Sequence, residues 1–167
     1  MLEVAVQAEA GWDTAFDWQT LADRAVRAAI EHSPYADWLA RNLAIEVAVR
    51  LTDDEEVRTL NAQYRDKDKS TNVLSFPMVQ PDLLESLANT DDGEVLLGDI
   101  VLAQGVCARE AAEKGIPIPD HAMHLIVHGT FHLLGYDHHG DSEAEAMEAL
   151  EVETLARLGL ADPYNRG

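Results

Sequence analysis

The stretch LAIEVAVRL, residues 43–51, sets Leu43, Ile45, Val47, Val49 and Leu51 at every second position, with smaller or charged residues between them. A period of two sends alternate side chains to opposite faces of a pleated strand, so this segment reads as a strand with one face in a core. Toward the N-terminus, Ser33 and Pro34 close a helix from Asp17 to about His32, in which Trp18, Leu21, Ala25 and Ile30 recur near helical spacing. Before it, residues 2–7, LEVAVQ, alternate again, and Gly11 to Asp13 supply a break. A strand, a helix and a strand in that order predict a right-handed crossover with the two strands parallel.

Toward the C-terminus, Thr52 reads as an N-cap with Glu55 completing a capping box, which makes Asp53 to about Tyr64 helical. Thr71 to Phe76, ended by Pro77, reads as a third strand and Glu94 to Ala103 as a fourth. Residues 77–93 between them hold Pro77, Pro81, Asp91, Asp92 and Gly93, a connection long enough to predict a functional loop with a mobile tip. Helices follow over Gly105–Lys114, Pro119–Leu134 and Asp141–Leu158, the first closing at Gly115. No repeat or linker divides the chain. Residues 1–167 read as one domain of the α/β (α+β) class, a mixed four-stranded sheet packed with about five helices.

A domain of 167 residues buries about 70% of its unfolded surface, enough for a core without staples. At 47% hydrophobic and 26% charged residues the composition is that of an ordinary globular protein, which argues against disorder over most of the chain. The first residues have neither the basic start nor the apolar run of a secretory signal, and no apolar run reaches membrane-spanning length. The expectation is a soluble, cytoplasmic protein without a membrane partner. Cys107 is the only cysteine, so neither an internal disulfide nor a multi-cysteine metal site is possible, and it reads as a small buried hydrophobe. The net charge of −19 argues against a general nucleic-acid-binding surface. One basic island stands out: Arg58, Arg65, Lys67 and Lys69 supply four of the 12 Lys and Arg residues, opposed locally by Asp66 and Asp68.

Five of the 7 histidines lie between His121 and His138. His128 and His132 are four apart, which on a helix stacks two imidazoles on one face within reach of one metal ion. Gly135 supplies a residue able to reverse the chain at the helix end, and the turn returns His138 as a third ligand. Three histidines with a fourth position open to water is a zinc arrangement. His124 with His128 is an alternative pair, and His139 is an alternative to His138. The pattern matches metzincin protease spacing, glycine included, except that Gly129 stands where the general-base glutamate belongs. Such a site is expected to bind metal and run different chemistry.

The segment HGTFHLLGYDH, with the upstream YRDKDKSTNVLSFP and the strand LLGDIVLA, resembles the bacterial YbeY family of endoribonucleases, and with EAMEALEVETLARLGLADPY the resemblance covers roughly residues 44–164. It implies a single mixed α/β domain, one Zn2+ on His128, His132 and His138, and cleavage of single-stranded RNA in ribosome maturation. It further implies processing of the small-subunit (16S) rRNA 3′ end and quality control of defective ribosomes, with the small subunit rather than DNA as partner. The family's arginine falls on Arg65.

Zinc on neutral imidazoles lowers the pKa of bound water to about 7, which makes Gly129 tolerable. Arg65, a planar donor, suits phosphate better than Lys67 or Lys69, and its competing reading is an exposed helix-end arginine that caps carbonyls or pairs with Asp68. Water and the 2′-hydroxyl both remain open as nucleophile. Tyr64, Phe76 and Tyr136 are candidates for base stacking, with core packing the stronger expectation for Phe76 and an alternative for Tyr136. Asp99 and Asp137 are candidate acceptors that orient a histidine. The acidic balance points to basic ribosomal proteins as recruiting partners. Two other readings are a metzincin-like zinc hydrolase of peptides or amides and a ribosome-assembly factor with a structural metal.

Overall fold

The computed structural model describes residues 1–9, 11–79, 83–84, 92–136 and 140–164. Strand β2 (Asn42–Thr52) lies inside the sheet, and its alternating set Leu43, Ile45, Val47, Val49 and Leu51 is buried to within 2%. β1 (Leu2–Ala8) pairs parallel with β2, as the crossover through α1 (Trp18–Glu31) requires. On the other side of β2 runs β4 (Asp92–Ala103), also parallel, and β3 (Val73–Pro77) pairs antiparallel with β4 to give the order β1-β2-β4-β3. Pro77 is tolerated inside β3 because that strand is at the sheet edge, where a missing N–H leaves no ladder bond unmade. The expected loop over 77–93 shrinks at its far end, since β4 begins at Asp92, and the tip for which mobility is expected falls outside the described residues.

Among the described residues five α-helices accompany the sheet: α1, α2 (Asp54–Arg65), α3 (Gln104–Lys114), α4 (Ile118–Leu133) and α5 (Asp141–Arg157). The expected cap of α2 is corrected by one residue. Thr52 is held in β2 by pairing with Ala103, and the Asp53 side chain accepts from Glu56 N at 2.8 Å instead. Thr52 keeps a different task, its hydroxyl donating to the Glu9 and Glu56 carboxylates at 2.7 and 3.3 Å.

One core lies between the sheet and the helices α1 and α4, with α5 behind α4 through Met147 and Leu155. A smaller apolar cluster of Val57, Leu74, Val101 and Ala103 seats α2 on the opposite face. Helix α4 is apolar nearly all round: Ala122, Met123, Leu125, Ile126, Val127, Phe131 and Leu133 are all buried. That is the signature of a helix enclosed by the fold rather than lying on it. No helix among the described residues is long and apolar enough to cross a membrane.

Cys107, on α3, is fully buried, and burial first, then the Glu110 charge, pushes its thiol up to about 12. The thiolate is the reactive form, so an alkylating reagent at neutral pH is expected to leave the native protein unlabelled and to modify it once denaturant is added. Rapid labelling of the native chain would contradict this packing.

Candidate metal centre

Helix α4 enters with Pro119 in its first turn and ends at Leu133 with Leu134 as cap and Gly135 at a φ of 96°. The ending is a Schellman arrangement: Tyr136 N donates to Phe131 O at 3.0 Å and Gly135 N to His132 O at 3.1 Å. The expected reversal at Gly135 is therefore present. His138, the expected third ligand, lies outside the described residues, as do its alternative His139 and the candidate acceptor Asp137.

Within the last turns of α4, the Nε2 atoms of His128 and His132 approach to 3.0 Å, with ring centroids 4.6 Å apart. The other nitrogen of each ring is held. His132 Nδ1 is 2.9 Å from the Tyr136 carbonyl, an oxygen that only accepts, so the ring donates from Nδ1. His128 Nδ1 is 3.1 Å from Glu151 Oε1 and donates to that carboxylate. In the neutral rings both facing Nε2 atoms then carry lone pairs. Two lone pairs at this separation repel unless a proton or cation lies between them, which is the geometry of two imidazoles directed at one metal ion. The alternative pair His124 and His128 is wider, 6.4 Å between centroids, and His124 Nε2 is already donated to Glu151 at 2.9 Å. Among the described residues no set of three His, Cys, Asp or Glu side chains is arranged to hold a metal.

Glu151, on α5, is the residue that spacing arguments missed. It is fully buried, and its Oε1 accepts from His124, from His128 and from the Tyr164 hydroxyl at 2.8 Å. Burial alone raises a carboxyl, but the hydrogen bonds from His124 and His128, joined by the charge of those rings when they are protonated, outweigh it and hold Glu151 at about 2. Burial and then the Glu151 charge hold the Tyr164 hydroxyl above the usual phenol range, which keeps it a donor. A second carboxylate serves the start of α4: Glu110 Oε1 accepts from His121 Nε2 at 2.8 Å and Asn72 Nδ2 at 3.0 Å. Burial lowers the His121 pKa, and the Glu110 hydrogen bond pulls it part of the way back. Asp99, expected as an orienting acceptor, does not orient a histidine among the described residues. Its neighbour Ile100 faces α4, so Asp99 points to the other side of the sheet, into an open groove of about 550 Å³ shared with Tyr64 and Phe76.

Arg65 is the last residue of α2 and is exposed, followed by Asp66 in the left-handed conformation. The competing partner Asp68 is taken by Arg58, at 2.8 and 3.2 Å, and among the described residues Arg65 makes no hydrogen bond or ion pair. Tyr64 beside it is 65% exposed and meets Phe76 edge-on at 5.5 Å, whereas Tyr136 packs on Phe131 against the core.

The profile of the family described as Endoribonuclease YbeY matches residues 6–159. The chain belongs to the YbeY family. Two curated YbeY endoribonucleases illustrate the relationship: one from Rhizorhabdus wittichii is 65% identical, over 98% of this chain and 97% of its own, and one from Sphingopyxis alaskensis is 61% identical over 98% of each. A solution structure from Thermotoga maritima shares the fold, with a TM-score of 0.55 at 20% identity over 98% of this chain and 100% of that one. The YbeY resemblance drawn from separated motifs is thus correct, and it extends further toward the N-terminus than those motifs did.

Gly129 separates this YbeY chain from the metzincins in space as well as in sequence. A Cβ built there meets Ile100 Cγ2 at 3.0 Å, so the position faces the sheet. Gly129→Glu is expected to bury a carboxylate against Ile100 and to destabilise the fold by about 3 kcal/mol or more, read as a lowered denaturation midpoint. A stable variant that hydrolyses peptides would contradict this placement.

Proposed function

We propose that the chain is a zinc-dependent endoribonuclease of the cytoplasm that cuts single-stranded RNA during ribosome biogenesis. On this reading it processes the 3′ end of small-subunit rRNA and takes part in ribosome quality control, with the small subunit as its partner. Family membership supports the nuclease activity. The observation that carries the metal is the convergence of His128 and His132 through Nε2 while their Nδ1 atoms donate elsewhere.

His128, His132 and His138 would hold the ion, a borderline-soft cation suited to imidazole donors. When bound, zinc supplies Lewis acidity, which polarises a phosphoryl oxygen and lowers the pKa of coordinated water to about 7. The chain's own contribution is positional. Glu151 and the Tyr136 carbonyl hold the two rings, and the Schellman turn at Gly135 fixes where the chain leaves α4. Arg65, exposed and without an acidic partner among the described residues, is the proposed phosphate binder, its planar fork matching two phosphoryl oxygens. Lys67 and Lys69 add local positive charge to a chain whose overall charge is −19, so that RNA is attracted to one place rather than to the whole surface. The packing of Gly129 against Ile100 counts against a peptidase.

The test is cleavage of single-stranded RNA by metal-loaded protein, with a chelator control. His128→Ala and Arg65→Ala are each expected to lower the rate on the order of 100-fold or more. Chelator-insensitive cutting that survives both substitutions would refute the reading.

A further inference from the structure

The Glu151 carboxylate is placed to do more than fill a polar gap in the core. It accepts three hydrogen bonds on one oxygen, from two different parts of the chain: His124 and His128 on α4 and Tyr164 beyond the end of α5. Its other oxygen is buried with no hydrogen-bond partner among the described residues. A glutamate needed only for packing would be replaceable by a neutral side chain, because burying a carboxylate this completely is costly unless its charge is used. The two histidines also meet it through different nitrogens. His124 presents Nε2 and His128 presents Nδ1, so the same oxygen that engages the outward nitrogen of His124 leaves the outward nitrogen of His128 directed at His132.

We propose that Glu151 is the positioning residue of the metal centre: it holds His128 in the Nδ1–H tautomer with Nε2 directed at the ion, and Tyr164 fastens the C-terminal segment onto that same oxygen. This rests on the reading of His128 and His132 as ligands and adds to it a residue and a segment that ligand spacing does not reveal. The physical basis is threefold. A carboxylate on Nδ1–H selects the tautomer, raises the basicity of the liganding nitrogen and fixes the ring plane. Tyr164 shares the work, since its hydroxyl donates to Oε1 and lies 3.2 Å from His124 Nε2, closing a small ring of polar atoms around the carboxylate. Residues just beyond α5 thus become part of the scaffold of a site formed at the C-terminal end of α4.

Three measurements test this on the full chain. Zinc affinity is read by competition with a chromophoric chelator for wild type, Glu151→Gln, Tyr164→Phe and His128→Ala. Long-range proton–nitrogen correlation spectra of the zinc-free wild type, at mildly alkaline pH, report the tautomer of each imidazole. Thermal unfolding of the zinc-free variants reports their folding. The proposal expects His128 as the Nδ1–H tautomer and a zinc dissociation constant about 10- to 100-fold weaker in Glu151→Gln. It also expects a smaller weakening in Tyr164→Phe. His128 found as the Nε2–H tautomer, or unchanged zinc affinity in a folded Glu151→Gln protein, overturns it. Should Glu151→Gln fail to fold, the wild-type tautomer and the Tyr164→Phe affinity decide the matter in the same directions. If His128→Ala leaves zinc binding intact, it is the ligand reading itself that fails, and that result is distinct from any outcome at Glu151.

Discussion

An imidazole on an enclosed helix must be given a polar partner from somewhere else in the fold, and the rest of this structure follows from how α4 meets that constraint. His121 and His124 are 2% and 8% exposed, on a helix whose other faces are apolar. Leaving such rings unpaired would cost free energy comparable to a lost hydrogen bond at each. Glu110 from α3 and Glu151 from α5 answer the two positions, and the Tyr136 carbonyl, brought back by the turn at Gly135, answers His132. The partners come from three separate elements, so the ring orientations report the assembly of the whole helical layer. Orientation of the rings and packing of the helices are one problem here.

The same arrangement explains which parts of the molecule were visible in its sequence. Strand β2 was readable because alternation survives wherever one face is buried, and its apolar set is the set found in the core. The parallel β1–β2 pair followed from chirality. The antiparallel placement of β3 was not readable, because a five-residue edge strand carries too little pattern to show its direction. The α2 cap was misplaced by one residue for a related reason: local capping chemistry fits Thr52 and Asp53 about equally, and only pairing of Thr52 with Ala103 decides between them.

At the candidate centre, the four-residue spacing of His128 and His132 was sufficient to bring their Nε2 atoms together, since helix geometry alone does that. Their acceptors were not found in the same way. Asp99 stood near the right place in the chain but points through the wrong face of the sheet, whereas Glu151 lies in a helix that reads as an ordinary acidic amphipath. The one available signal was its place within that helix: Glu151 lies on the face that also buries Met147, Thr154 and Leu155. A carboxylate on a buried face calls for a cation or a donor nearby. The electrostatics have a comparable division. A charge of −19 belongs to the chain as a whole, but Arg65 remains without an acidic partner among the described residues because Arg58 occupies Asp68.

The central claim is that a cation is held through Nε2 of His128 and His132 with a third imidazole beside them. X-ray absorption at the zinc edge, on protein loaded with one equivalent of zinc, addresses it directly. The account predicts nitrogen scatterers at about 2.0–2.1 Å with imidazole multiple scattering and no sulfur shell near about 2.3 Å. A coordination shell without imidazole, or one containing the Cys107 sulfur, would contradict it.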